Sequence, residues 1–231
     1  MSGSPTFRAR AKPFSIGPAA DVVSFHDYEG LDASFSSEPR TIVQVFEDVR
    51  AVFEKWEQRA PGFTYARKQD YWQTEGNFDF IGILSSERRA AWRVQFFTRA
   101  FAAGIRKVGI MDPSVLEQKA VRFYVSTLPN PFPMLPATNE VVVIRGMVAA
   151  FRHPDGPDPD AGQVWILWAV AGTGAAQVEV PVKRERVEVI SLDGKSHPLT
   201  ANAGRLRVDL PQDSKMPAPV IMVDRPMSVA K

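Results

Sequence analysis

The sequence predicts an α/β segment followed by an all-β segment, and three observations carry that division. In the first part, stretches of strand character alternate with stretches of helical spacing, the order of parallel strands joined by helices. This texture breaks at the proline-rich Pro129-Asn130-Pro131-Phe132-Pro133. Beyond it only short alternating runs occur, separated by turn residues, which argues for an antiparallel sandwich. The boundary falls near residue 130, giving segments 1–130 and 131–231.

Residues 1–18 are rich in Ser, Gly, Pro and basic side chains and predict an extended start. Asp21 to Phe25 reads as a short apolar strand, and Glu29 to Arg40 as a long surface loop. Thr41 to Arg59 places Ile42, Val45, Phe46, Val49, Val52, Phe53 and Trp56 on one helical face, ended by Pro61-Gly62. Phe63 to Thr74 holds the second strand, polar at its start and aromatic near its end. A helix then starts at Ser85-Ser86-Glu87, carries the stripe Ala90, Ala91, Val94, Phe97, Ala100 and Phe101, and stops at Gly104. Lys107 to Met111 is a third strand, and Ser114 to Leu128 a further helix stopped by Pro129. The second segment offers strands at Val141 to Arg145, Met147 to Arg152, Gln163 to Val170, Ala176 to Val182, Val187 to Ser191, Leu206 to Leu210 and Val220 to Val223. Trp165 and Trp168 are an odd number of residues apart, so a regular strand turns them to opposite faces, one of them toward the first segment.

The chain of 231 residues is long enough for a sizeable core. Its 28 Lys+Arg against 26 Asp+Glu leave a formal charge of +2, too small a field to attract nucleic acid. The absence of cysteine excludes disulfides, thiolate catalysis and Cys-based zinc sites. No His/Asp/Glu grouping has metal-ligand spacing, so neither a catalytic metal nor a cofactor is expected. Met1 to Pro18 lacks the apolar core of a signal peptide, and no apolar stretch approaches membrane-spanning length. The expectation is a cytoplasmic protein as the sequence stands, or a secreted one if its N-terminus is truncated.

Chemistry concentrates in two runs. Asp70-Tyr71-Trp72-Gln73-Thr74-Glu75-Gly76-Asn77 ends a β-prone aromatic stretch on a carboxylate with a glycine behind it. Asp21-Val22-Val23-Ser24-Phe25-His26-Asp27-Tyr28 carries polar and aromatic residues past its apolar part. A carboxylate at the carboxyl end of a parallel strand is where a barrel enzyme presents a catalytic group. Regular alternation puts Trp72 on the face of Thr74 rather than Glu75, which predicts packing under the helices.

These residues resemble the late strands of a clan A glycoside hydrolase, the (β/α)₈-barrel group that cleaves glycosides with retention. The resemblance rests on His26-Asp27-Tyr28, Thr74-Glu75-Gly76, Glu87 to Trp92 and Ala103 to Ile105. The sandwich that follows the barrel in several such families is matched by Val164-Trp165-Ile166-Leu167-Trp168 and Val178 to Val182, with a strand and turn at Val189 to Gly194. The resemblance implies a partial (β/α)-barrel-like half followed by an antiparallel β-sandwich. It implies Glu75 as nucleophile, Tyr28 donating a hydrogen bond to it, and His26 orienting it or touching a sugar hydroxyl.

Retaining hydrolysis needs two carboxyl groups about 5 Å apart. The acid/base of this clan sits in an Asn-Glu pair on a middle strand, which here would precede Asp21. Asn139-Glu140 lies in the sandwich segment and reads as coincidence. The final strand has Ile110-Met111-Asp112 where the family offers a tryptophan. The expectation is therefore a glycoside hydrolase-like protein acting on β-linked saccharides once an N-terminal barrel half is supplied by a partner or by self-association through an open sheet edge. The alternative is a non-catalytic carbohydrate-binding or assembly module that retains a barrel remnant.

Overall fold

The computed structural model describes residues 22–29, 46–48, 50–51, 55, 70–78, 85–109, 113–128, 130, 133–156, 161–170, 172–213 and 216–225, with residues 22–29, and 70–78 other than Trp72, described by their backbone. The extended start, the loop after Glu29, Pro61-Gly62 and Ile110-Met111-Asp112 lie outside them. So does most of the helix expected over Thr41 to Arg59, which is helical at its described positions 46–48, 50, 51 and 55.

Strands β1 (Val22–Glu29), β2 (Asp70–Phe78) and β3 (Lys107–Val108) form a parallel sheet in the order β1-β2-β3. Both long strands run past their expected ends. Glu75 has three strand residues after it, and His26 and Tyr28 lie inside β1. The β-prone Tyr28 and Phe78 extend the ladder once a parallel neighbour takes up their backbone groups.

Helix α1 (Ser86–Ala103) links β2 to β3, and α2 (Val115–Thr127) follows β3. Ser85 caps α1 by accepting from the Arg88 amide, and Gly104 ends it at φ 95°, a left-handed conformation that costs glycine little. Ser114 and Glu117 close a capping box on α2.

The second segment is a sandwich of two antiparallel sheets. Its strands are β4 (Leu135–Pro136), β5 (Val142–Arg145), β6 (Val148–Pro154), β7 (Gln163–Ala169), β8 (Ala176–Pro181), β9 (Arg186–Ile190), β10 (Ser196–Thr200), β11 (Arg205–Leu210) and β12 (Val220–Asp224). One sheet runs β10-β9-β12-β7-β6-β4 and the other β11-β8-β5. The expected strands are present, and β4 and β10 are additional. Both lie at sheet edges and contain proline, which weakens their strand signal.

Two buried clusters flank the six-stranded sheet. One joins Phe46, α1, α2 and Ile105 to Phe151, Val164, Ile166 and Trp168, with Val108 of β3 packed against it. The other fills the space between the sheets with Val148, Ala150, Trp165, Leu167, Val178, Val180, Leu206 and Met222. Trp165 and Trp168 thus face opposite ways, and Trp168 is the one on the helix side. The architecture is a partial barrel-like parallel sheet with its helices, followed by a β-sandwich.

Candidate active site on the parallel sheet

The backbone register of β1 and β2 defines the site. Val22, Val23, Ser24 and Phe25 pair with Asp70, Tyr71, Trp72 and Gln73. The register then slips by one residue, so that His26 pairs with Glu75, Asp27 with Gly76 and Tyr28 with Asn77. Thr74 is the extra residue, a bulge of the kind that re-aims the positions after it and that collects near active sites.

The slip decides which positions share a face. Strand β1 is regular, so 22, 24, 26 and 28 fall on one face. Their partners Asp70, Trp72, Glu75 and Asn77 fall on that same face. The expectation that Trp72 shares a face with Thr74 and packs under the helices is corrected here, because the bulge cancels the odd spacing between 72 and 75.

The third strand tells which face this is. Lys107 pairs with Trp72 and Val108 with Gln73. Val108 packs against the cluster built by the helices, so among the described residues the Lys107 face is the one turned away from the helices. Lys107 is exposed there, its Nζ 3.6 Å from the centroid of the half-buried Trp72 ring. In a (β/α) barrel the helix-free face of the sheet is the interior.

His26, Tyr28 and Glu75, the three expected site residues, therefore come together at backbone level. His26 and Glu75 are direct neighbours across the ladder, about 4.8 Å apart between strands, and Tyr28 lies one layer further toward the carboxyl ends, about 7 Å along. Asn77 shares the Tyr28 layer and was missed by sequence reasoning, as was Lys107. Recognising either needed the bulge, which leaves no mark in the pattern of apolar residues.

The two helices that follow β2 and β3 are locked together by a buried charge network. Glu117 accepts from Arg93 Nε at 3.0 Å and from the Ser114 amide at 2.8 Å, and Arg89 Nε lies 3.4 Å from its second oxygen. Burial alone would raise the Glu117 pKa, but the bonds from Ser114 and Arg93 outweigh it and hold the carboxyl below its usual range. Arg93 is itself buried, which pulls its pKa down against the support of Glu117. Thr98 Oγ1 donates to the Val94 carbonyl at 2.7 Å and accepts from the Tyr124 hydroxyl at 3.2 Å, and burial pushes the Tyr124 phenol pKa up. This network ties the helix after β2 to the helix after β3.

The remaining polar residues have structural partners. Glu140 makes a two-pronged ion pair with Arg152, at 2.8 and 3.1 Å, and lies in the sandwich. His153 is buried in β6 with Nδ1 2.9 Å from the Pro133 carbonyl, and His197 is exposed on β10. Among the described residues, no three His, Asp or Glu side chains group in a way that could hold a metal ion. Among the same residues, no helix is long and apolar enough to cross a membrane.

No protein-family model matches the chain, and no curated protein matches it. Solved structures do. A bifunctional glucanase-xylanase from a metagenome library aligns at a TM-score of 0.52 and 13% identity over 88% of this chain and 43% of its own. A glucosidase from Croceicoccus marinus aligns at 0.53 and 12% identity, over 89% of this chain and 54% of its own. The thermostable family 51 α-L-arabinofuranosidase of Thermotoga petrophila aligns at 0.54 and 9% identity, over 88% and 52%. The chain thus spans about half the length of the structures it matches. Its fold is that of glycoside hydrolases.

Proposed function

We propose that this chain is the nucleophile-bearing part of a retaining glycosidase that acts on β-linked saccharides. The reading rests on one observation: a bulged parallel pair that sets His26 beside Glu75 and Tyr28 one layer above, on the helix-free face near the strands' carboxyl ends. In this reading Glu75 attacks the anomeric carbon, Tyr28 donates to its carboxylate and His26 orients it. Glu140 is held by Arg152 in the sandwich, and in this reading the acid/base is a carboxylic acid that the completing barrel half supplies. That group protonates the leaving oxygen and then activates water against the glycosyl-enzyme. Residues 1–130 act as the barrel part and 131–231 as the sandwich. A polypeptide carrying the other barrel strands docks on the open edges of the β1-β2-β3 sheet.

The test is hydrolysis of aryl β-glycosides by the chain alone and together with the N-terminal barrel half of a structural neighbour. Activity in the mixture, lost by at least a thousandfold in Glu75→Gln, is the expected result. Hydrolysis indifferent to that substitution rejects the assignment. The engagement of Glu140 with Arg152, and the sequence Ile110-Met111-Asp112 where the resemblance expects a tryptophan, favour a second reading as a non-catalytic carbohydrate-binding or assembly module. That reading predicts saccharide binding by calorimetry without turnover under any pairing.

A further inference from the structure

We propose that Lys107 is a positioning residue for Glu75, a fixed cation on the shared face that keeps the carboxylate ionised; this rests on the reading of Glu75 as nucleophile. The bulge at Thr74 brings Trp72 and Glu75 onto one face, with Trp72 in the layer directly beneath. Lys107 pairs with Trp72 and sets its ammonium 3.6 Å from the ring centroid. An aromatic face within about 6 Å attracts a cation, so the ring confines the ammonium instead of leaving it to sweep through solvent. Consecutive same-face layers are separated by about 7 Å along a strand, a distance at which a fixed charge still acts on a carboxylate.

The nucleophile of a glycosidase must be ionised to attack, and a barrel interior disfavours charge. A cation one layer deeper offsets that cost without occupying the space a sugar needs. The charged and titratable neighbours among the described residues are these. His26 and Tyr28 share the Glu75 face from β1, Asp70 shares it two layers below on β2, and Asp27 and Glu29 fall on the opposite face. Lys107 is the cation that β3 adds to this face.

The proposal is tested by carboxylate NMR titration of Glu75 in the full chain labelled with ¹³C-glutamate. In Lys107→Gln the Glu75 midpoint is expected to rise by about half a unit to one unit. Lys107→Arg should restore it, and Lys119→Gln, on an exposed face of α2, should leave it unmoved. In the unsubstituted chain, raising NaCl from low to high concentration should raise the midpoint, which keeps the test available if a variant folds poorly. Asp70→Asn should lower the midpoint by removing a like charge from the face that carries Glu75. A Glu75 midpoint that ignores Lys107→Gln and salt, or that moves equally in Lys119→Gln, overturns the proposal. The titration needs no turnover, so a flat result removes the role of Lys107, while Glu75→Gln kinetics separately decide the nucleophile.

Discussion

The two faces of the six-stranded sheet are packed by different means. Toward β11-β8-β5 the contact is mainly aliphatic around a single buried ring, Trp165, with Val148, Ala150, Leu167 and Met222 meeting Val178, Val180, Leu206 and Val208. Toward the helices it is aromatic and charged. Phe151 stacks on Trp168 at 5.2 Å, and the Arg99 guanidinium of α1 lies 5.3 Å from the Trp168 ring. Two pleated sheets interdigitate with small branched side chains at about 10 Å spacing. A helix laid on a sheet leaves a less regular gap, and large rings with Arg between them fill it while keeping the charge compensated. The sandwich face is held by shape, and the helix face by shape plus a polar network.

Five substitutions sharpen this contrast. Trp168→Ala removes the ring that bridges sheet and helix and should cost about 3–5 kcal/mol in urea unfolding. Glu117→Gln leaves the Arg93 guanidinium buried without its anion and should cost about 3 kcal/mol. In that variant hydrogen exchange should quicken in α1 and α2 before β7 and β12. Equal quickening in both layers would show that the layers are not held differently.

The acid limb of stability should report the same group. The Glu117 pKa is lowered on folding, so its contribution is present above the unfolded value and is lost as pH falls through the folded one. The loss falls below about pH 4, and Glu117→Gln should flatten that part of the curve. Ser114→Ala removes the α2 cap and should cost about 1 kcal/mol. On the sandwich face, Trp165 buries an indole N–H that has no hydrogen-bond partner. Replacing it by Phe sheds that penalty along with some volume, so Trp165→Phe should change stability by less than about 1 kcal/mol. Trp168→Phe should cost more, because it weakens the stack with Arg99.

The sequence carried much of this fold for identifiable reasons. The odd spacing of Trp165 and Trp168 was enough to assign them to opposite faces, because β7 is regular. Helix α1 was legible in its caps but not in its depth. The apolar stripe accounts for Ala90, Ala91, Val94, Phe97 and Ala100, yet burial runs unbroken from Ala90 to Thr98. Arg93, Gln95 and Thr98 are buried because Glu117, the Pro217 carbonyl and the Val94 carbonyl receive them, and those partners are distant in sequence or in the backbone. In the site, residue types pointed to Glu75, His26 and Tyr28. Their common face with Trp72 and Lys107 depends on a single unpaired residue, Thr74, that periodicity cannot reveal.

Among the described residues, one border of the sandwich is more weakly guarded than the others. Strand β10 carries Pro198, β4 ends on Pro136, and β11 shows Arg205, Arg207 and Asp209 to solvent, each an obstacle to a further strand. Strand β5 carries Arg145 and a register shift between Val143 and Arg145, yet it ends its sheet with Val142, Val143 and Ile144 all exposed, and Met147 exposed beyond it. Its outward amides and carbonyls form an adhesive seam, so protein concentration should govern how long a solution stays monodisperse. Val143→Lys should extend that lifetime in light scattering while leaving unfolding within about 0.5 kcal/mol.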